Sequence, residues 1–261
     1  MPTALLVVNI AGMELEGITA VITGSTGRLG GFIAMALAKA GCNCICHYNS
    51  NKQKANELVR RIESLSVKAI AVGADLTKAE QIEHLFAEAR NLGDVRILIN
   101  SAACFSRQPL SEITFEQAQQ VFAVNLTAAI MTSRVFAEQI KIDPADSRKV
   151  TGKIINIADI GGIRPWANYT VYCSSKAGLI GATKSLAKEL SPAVCVNSIA
   201  PGVVNVKQPA DGDKSQKQRQ LEFIPMDRFA EPQDITDAII FLLGNDYITG
   251  QVLNVDGGRC I

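Results

Sequence analysis

Seven short apolar runs recur along this chain, at 18–23, 42–47, 69–72, 97–100, 154–158, 194–200 and 252–255. Each is rich in β-branched residues and nearly continuous, which is how strands covered on both faces read. The intervals between them carry helical patterns. Two have capping-box spacing at their starts, Thr77-x-x-Glu80 and Thr114-x-x-Gln117. Strands that alternate with helices from end to end predict a single α/β domain built on one doubly wound parallel sheet, a seven-stranded Rossmann arrangement. With 261 residues, 48% of them hydrophobic, the chain can bury one large core. It contains no internal repeat, low-complexity segment or interdomain linker.

Several classes of partner are disfavoured. The net charge is +1 and no basic stripe interleaves with aromatics, so a nucleic-acid partner is not expected. No apolar run reaches the ~18 residues of a membrane span. The apolar stretch from Ala4 to Val8 lacks the basic start of a signal peptide. Of seven cysteines, Cys42, Cys44 and Cys46 alternate along one run and so face one side of a strand. They have no matching return set, so no metal site is expected. Reduced cysteines acting as small hydrophobes fit better, and they point to a cytoplasmic location.

The first run ends in Thr23-Gly24-Ser25-Thr26-Gly27-Arg28-Leu29-Gly30, and a helix follows. Glycines in a strand–turn–helix let the backbone approach a pyrophosphate held at the positive helix end, which favours a nucleotide over a turn that only packs. The second run closes with His47-Tyr48-Asn49-Ser50-Asn51-Lys52 and has no acidic residue for a ribose 2′-hydroxyl. Arg28, Ser50 and Lys52 are suited to a 2′-phosphate, which favours NADP(H) over NAD(H); a plain polar loop competes with that reading. Asp75-Leu76 and Asn100-Ser101-Ala102 end the third and fourth runs, where ligands bind in open α/β sheets. Asp75 alternatively only caps the helix at Thr77. Phe105 follows, as core or as a stacking wall. Pro201-Gly202-Val203 ends the sixth run as a rigid turn, and 205–220 reads as a polar lid or surface loop.

The chemistry centres on 159–176. The fifth run delivers Asp159, and Tyr172 and Lys176 lie one turn apart on a helix starting near Thr170. A free phenol has a pKa near ~10, and a nearby ammonium lowers it. That makes Tyr172 a candidate general acid or base. Asn125 is a polar residue on an apolar helix face.

Taken together and in order, these motifs resemble the short-chain dehydrogenase/reductase family from about Leu15 to Gly258; Val255-Asp256-Gly257-Gly258 completes the set. The resemblance implies NAD(P)-dependent hydride transfer to a small-molecule substrate, a homotetramer, and a catalytic tetrad of Asn125, Asp159, Tyr172 and Lys176. Asn125 would hold a helix break and a relay water. It also implies cofactor contacts at Gly24, Thr26, Arg28, Leu29, Gly30, His47, Tyr48, Asn49, Ser50, Asp75, Leu76, Asn100, Ser101, Ala102, Tyr172, Lys176, Pro201, Gly202 and Val203. Met13 to Gly17 is similar to the family's usual start, so 1–14 is expected to be an extension and 15–261 the domain. Three positions depart from the family pattern: Asp159 stands for serine, Arg28 for glycine, and Asn100-Ser101-Ala102-Ala103 for Asn-Asn-Ala-Gly. The first two resemble pteridine reductases, as do His47-Tyr48 and Phe105. In that branch Phe105, Asp159 and Tyr172 would bind a pterin. A carbonyl or 3-ketoacyl reductase and a non-catalytic nucleotide-binding regulator are the alternatives.

Overall fold

The computed structural model describes residues 13–140, 146, 149–206 and 214–261. Expectations for 1–12 and for 207–213 lie outside it. The chain runs β1 (Thr19–Ile22), α1 (Gly30–Lys39), β2 (Asn43–Tyr48), α2 (Lys52–Glu63), β3 (Ala69–Gly73), α3 (Ala79–Leu92) and β4 (Val95–Asn100). It continues through α4 (Phe115–Phe122), a π-helical turn Ala123–Thr127, α5 (Ala128–Gln139), β5 (Gly152–Ile157) and α6 (Thr170–Leu190). β6 (Val194–Pro201), α7 (Lys214–Leu221), α8 (Pro232–Leu243) and β7 (Val252–Val255) complete it. All seven predicted strands are present within a residue or two, and 214–221 of the expected polar loop is helix.

The strands form one sheet in the order β3-β2-β1-β4-β5-β6-β7, and every pairing is parallel. Alternation along each strand divides the core into two layers. On one face Ala20, Ile22, Cys44, Cys46, Ile97, Ile99, Ile155 and Ile157 meet residues of α1, α2 and α8, among them Ile33, Leu37, Ile62 and Ile239. On the other, Val21, Ile45, Leu98, Ile154 and Val196 meet Leu85 and Phe86 of α3 and Phe136 of α5. The alternating cysteines therefore behave as core. All are free thiols, and burial pushes Cys42 and Cys46 up to about 12, where a thiolate is scarce.

Phe115–Gln139 is one unbroken helical stretch, apolar and long enough by composition to cross a membrane. Here it lies against the sheet. Thr132 and Ser133 of α5 hydrogen-bond Asn100 of β4, and Asn100 in turn donates to Asn156 of β5 at 2.9 Å. The two capping expectations divide. Thr114 forms the full box with Gln117. Thr77 does not cap α3, whose N-cap is Lys78; Thr77 instead gives both its N–H and its hydroxyl to Asp75 Oδ1, at 3.0 and 2.7 Å.

Strand order reverses direction between β1 and β4, so the connections leaving these two strands diverge and open a crevice at their carboxyl ends. Every residue discussed below lies along that edge or on the loops above it.

Candidate active site

The turn after β1 is set by close approach. Gly24 adopts φ +64°, and a Cβ there would meet Ala102 Cα at 2.7 Å. A Cβ on Gly30 would meet the Gly24 carbonyl oxygen at 2.3 Å. Thr23 Oγ1 accepts from the N–H groups of Ser101 and Ala102 at 3.0 and 3.1 Å, which clamps the end of β4 to the end of β1. Behind the turn, α1 has no acidic residue in its first turn and no side-chain cap, so its positive end faces the crevice without a protein anion. Arg28 is exposed in this turn. Lys54 of α2 donates to the Thr26 carbonyl at 2.6 Å, adding a second cation beside the turn. Lys54 was not among the sequence candidates. Its position two residues into α2 gives no motif signal, and only the fold returns α2 to the turn.

Two of the expected cofactor contacts have their side chains engaged by protein groups. His47 is 2% exposed. Its Nδ1 accepts from Gly24 N–H at 2.9 Å, which leaves Nε2–H to donate to the Ala74 carbonyl at 2.8 Å. It thus holds the turn from beneath, and burial lowers its pKa. Asn100 has its amide engaged by Ala129, Ser133, Asn156 and Thr132. Asp75 accepts the Thr77 N–H and hydroxyl in the turn before α3 without capping that helix, and those bonds hold its carboxyl below the usual range. Leu76 is buried beside it. Tyr48 covers Gly73, Asn49 and Ser50 are exposed, and Gly202 packs on Asp256, where a Cβ would meet Cα at 2.8 Å. The Val203 carbonyl accepts from Ala230, which ties the Pro201–Val203 turn to the start of α8.

At the other end of the crevice the tetrad converges. Tyr172 donates its hydroxyl to Asp159 Oδ2 at 2.7 Å, and Asp159 Oδ1 accepts from Gly161 N–H at 2.7 Å. Lys176 is fully buried and donates to the Ile157 carbonyl at 2.7 Å, with Nζ 5.9 Å from the Tyr172 ring centroid. Asn125 is buried in the π-helical turn. Its amide donates to Cys104 O and Ser175 Oγ, each at 3.0 Å, and accepts from Cys104 N–H at 2.7 Å. Both amide protons go to protein, so the side chain joins the loop after β4 to α6.

The expected influence of Lys176 on Tyr172 is overturned. Burial and the adjacent Asp159 carboxylate push the phenol well above its ordinary value. Tyr172 is therefore held protonated. Burial raises the Asp159 carboxyl, against opposing pulls from the Gly161 and Tyr172 hydrogen bonds, Lys176 and Arg259. Burial also depresses Lys176, to about 8. The arrangement suits a proton donor in which carboxyl and phenol share one proton network.

Phe105 is not core. It is 52% exposed, stacks on Tyr169 at 5.3 Å and meets the Tyr172 ring edge-on at 4.8 Å. Trp166 meets Tyr169 edge-on at 5.6 Å. These rings form an aromatic wall beside the Tyr172 hydroxyl. Gln108 N–H bonds to the Asn168 carbonyl at 2.7 Å and joins the two loops that carry it. Tyr169 and Trp166 were not singled out in the sequence, because a loop aromatic without periodic spacing gives no orientation.

A Rossmann sheet, a glycine turn at its switch point and a Tyr–Lys pair beside it define a dinucleotide-dependent oxidoreductase. A family profile described as enoyl-(acyl carrier protein) reductase matches residues 26–259. The chain is 36% identical over 254 residues to 3beta-hydroxysteroid dehydrogenase 1 of Eggerthella lenta, covering 95% of each. It is 34% identical over 251 residues to the 3-oxoacyl-(acyl-carrier-protein) reductase of Aquifex aeolicus, covering 94% of this chain and 98% of that one. It superposes on a blue fluorescent protein from a metagenomic library, solved in complex with NADPH, with a TM-score of 0.85 and 30% identity. That match covers 95% of this chain and 100% of the other. The chain belongs to the short-chain dehydrogenase/reductase family and is an oxidoreductase of that family.

Proposed function

We propose that this enzyme is an NADPH-dependent, cytoplasmic reductase of a flat, pterin-like heterocycle, working as a homotetramer and reducing a C=N bond. The observation that carries the substrate class is the 2.7 Å bond from Tyr172 to Asp159 beneath the Phe105–Tyr169 wall. The cofactor fits the crevice residues: the uncapped end of α1, the glycine turn with no room for side chains, and the cations Arg28 and Lys54 beside it. The NADPH-bound relative supports the same choice. Gly24 to Gly30 would hold the pyrophosphate, Arg28 the 2′-phosphate, and Lys176 the nicotinamide ribose. When bound, NADPH supplies the hydride.

The chain supplies the proton and the geometry. Phe105 orients the flat ring over the Tyr172 edge. The Asp159 carboxyl, raised by burial, gives its proton to the ring nitrogen adjoining the carbon that is reduced. The carboxylate left behind is stabilised by the Tyr172 hydroxyl, the Gly161 N–H and the Lys176 ammonium. A ring nitrogen is more basic than a ketone oxygen, so a carboxylic acid is strong enough to serve it.

The second reading is a carbonyl reductase, favoured by the names of the 3-oxoacyl and hydroxysteroid relatives. Asp159 variants separate the two. Asp159→Ser is expected to lose most heterocycle reduction while NADPH affinity holds, and Asp159→Asn to flatten the acid side of the pH–rate profile. The sign follows from an acid that must be protonated: kcat/KM rises as pH falls toward the raised Asp159 value. A decline above about 8, where Lys176 loses its charge, should remain in Asp159→Asn. Undiminished heterocycle reduction by Asp159→Ser would favour the carbonyl reading.

A further inference from the structure

Asp159 is followed by a single 3₁₀ turn, Ile160–Gly162. Arg164 leaves that turn with its N–H bonded to the Ile160 carbonyl at 2.7 Å. Its Nη1 donates at 3.0 Å to the carbonyl of Arg259, 95 residues away in the C-terminal tail. The tail is fixed by its own turn. Asp256 Oδ1 accepts from Gly258 N–H and Oδ2 from Cys260 N–H, both at 2.9 Å, and the Gly257 carbonyl accepts from Met226 N–H at 3.1 Å. The Arg164 guanidinium is thereby fastened to the backbone of Arg259, whose own charge acts on Asp159 in the crevice.

Their charges are not neutralised locally. Among the described residues neither Arg164 nor Arg259 forms an ion pair, whereas Arg96, Arg134 and Arg228 do so at 2.6–2.8 Å. Arg164 is exposed and Arg259 half-buried. Asp256, the nearest acid in sequence to Arg259, has both oxygens on backbone N–H groups. Asp159, which feels the Arg259 charge, already accepts from Tyr172 and Gly161. A planar guanidinium binds carboxylate or phosphate in a bidentate way.

We propose that Arg164 and Arg259 form an anion-binding lip that holds a carboxylate or phosphate arm of the substrate while its reacting part lies against Phe105. The proposal rests on the crevice at Asp159 being the substrate site, and it fixes the substrate class further: a flat reacting group with an anionic arm. Neither arginine bonds to Asp159 or Tyr172, so the lip is read through binding affinity, while Arg259 also acts on Asp159 through its charge.

The test is calorimetric titration of the enzyme saturated with NADP⁺, using two probe pairs. One pair is folate against pterin, a ring with and without carboxylates. The other is 4-acetylbenzoate against its methyl ester, a carbonyl with and without one. The anionic member should bind about tenfold or more tightly, the equivalent of ~1.4 kcal/mol. The preference should collapse to about twofold in R164Q/R259Q and persist, weakened, in R164K/R259K, with neutral-probe binding unchanged in both. A thermal melt confirms that the variants are folded. Preference within the carbonyl pair alone would uphold the lip and reject the heterocycle reading. A preference that survives R164Q/R259Q, or no binding of either anionic probe to the parent enzyme, would overturn the lip.

Discussion

Tyr172 and Lys176 are four residues apart, yet the partner of the phenol is Asp159, thirteen positions earlier and 2.7 Å away. Burial first, and then the Asp159 carboxylate, raise the phenol above its ordinary value. Phe105 is the second decisive residue, because its exposed face is available to a ligand. Phe105→Ala should raise KM for a flat substrate several-fold and leave NADPH affinity intact. Its cost in stability should fall well short of the ~3–5 kcal/mol of a core phenylalanine. A melt measured beside the kinetics checks both, and a full core-sized loss with unchanged KM would contradict the wall. Arg28 acts at the cofactor end. Charge-assisted hydrogen bonds contribute ~1.5–3 kcal/mol, so Arg28→Ala should weaken NADPH at least tenfold while NADH changes little. Equal weakening of both in a fluorescence titration would mean that Arg28 serves only the turn.

At the scale of elements, the site depends on side chains that fasten one strand end to the next. His47 joins the β1 turn to the end of β3, Thr23 joins β1 to β4, and Asn125 joins the loop after β4 to α6. His47 is buried as the neutral ring, its pKa lowered from the ordinary 6.5. A depressed pKa means that the unfolded chain binds the proton first. The stability His47 contributes is therefore present above about 6.5 and is lost as pH falls through its lower folded value. His47→Gln should lower the melting temperature at pH 7.5, and the gap from the parent should narrow toward pH 5. A gap independent of pH would show that the ring is not buried neutral. Such fastenings were the least legible part of the sequence. Strands, helices and tetrad positions could be read because periodicity and spacing are local. The partner of a buried polar group is set by which strand ends the topology brings together, so the protein partners of the His47 and Asn100 side chains and the return of Lys54 to the turn have no sequence signal. Asp75 bonds Thr77 in the turn before α3 and does not cap the helix.

On the scale of the whole molecule, a sheet with two covered faces leaves only its carboxyl edge for chemistry. The crevice there holds a nucleotide turn at one end and an acid pair under an aromatic wall at the other, about the β1–β4 switch point. This division of labour is common to the family and says nothing of the substrate. That information lies in the loops, in Asp159, Phe105 and Tyr169 and in the tail that carries Arg259. The central claim is that these residues select a ring C=N bond over a ketone. It is tested most directly by the ratio of kcat/KM for NADPH oxidation on a 7,8-dihydropterin to that on a 3-ketoacyl thioester, measured with the unmodified enzyme between pH 5 and 8. The account predicts a ratio well above ten at every pH, widening toward pH 5 as Asp159 gains its proton. A ratio below one, or one that narrows on acidification, would contradict it.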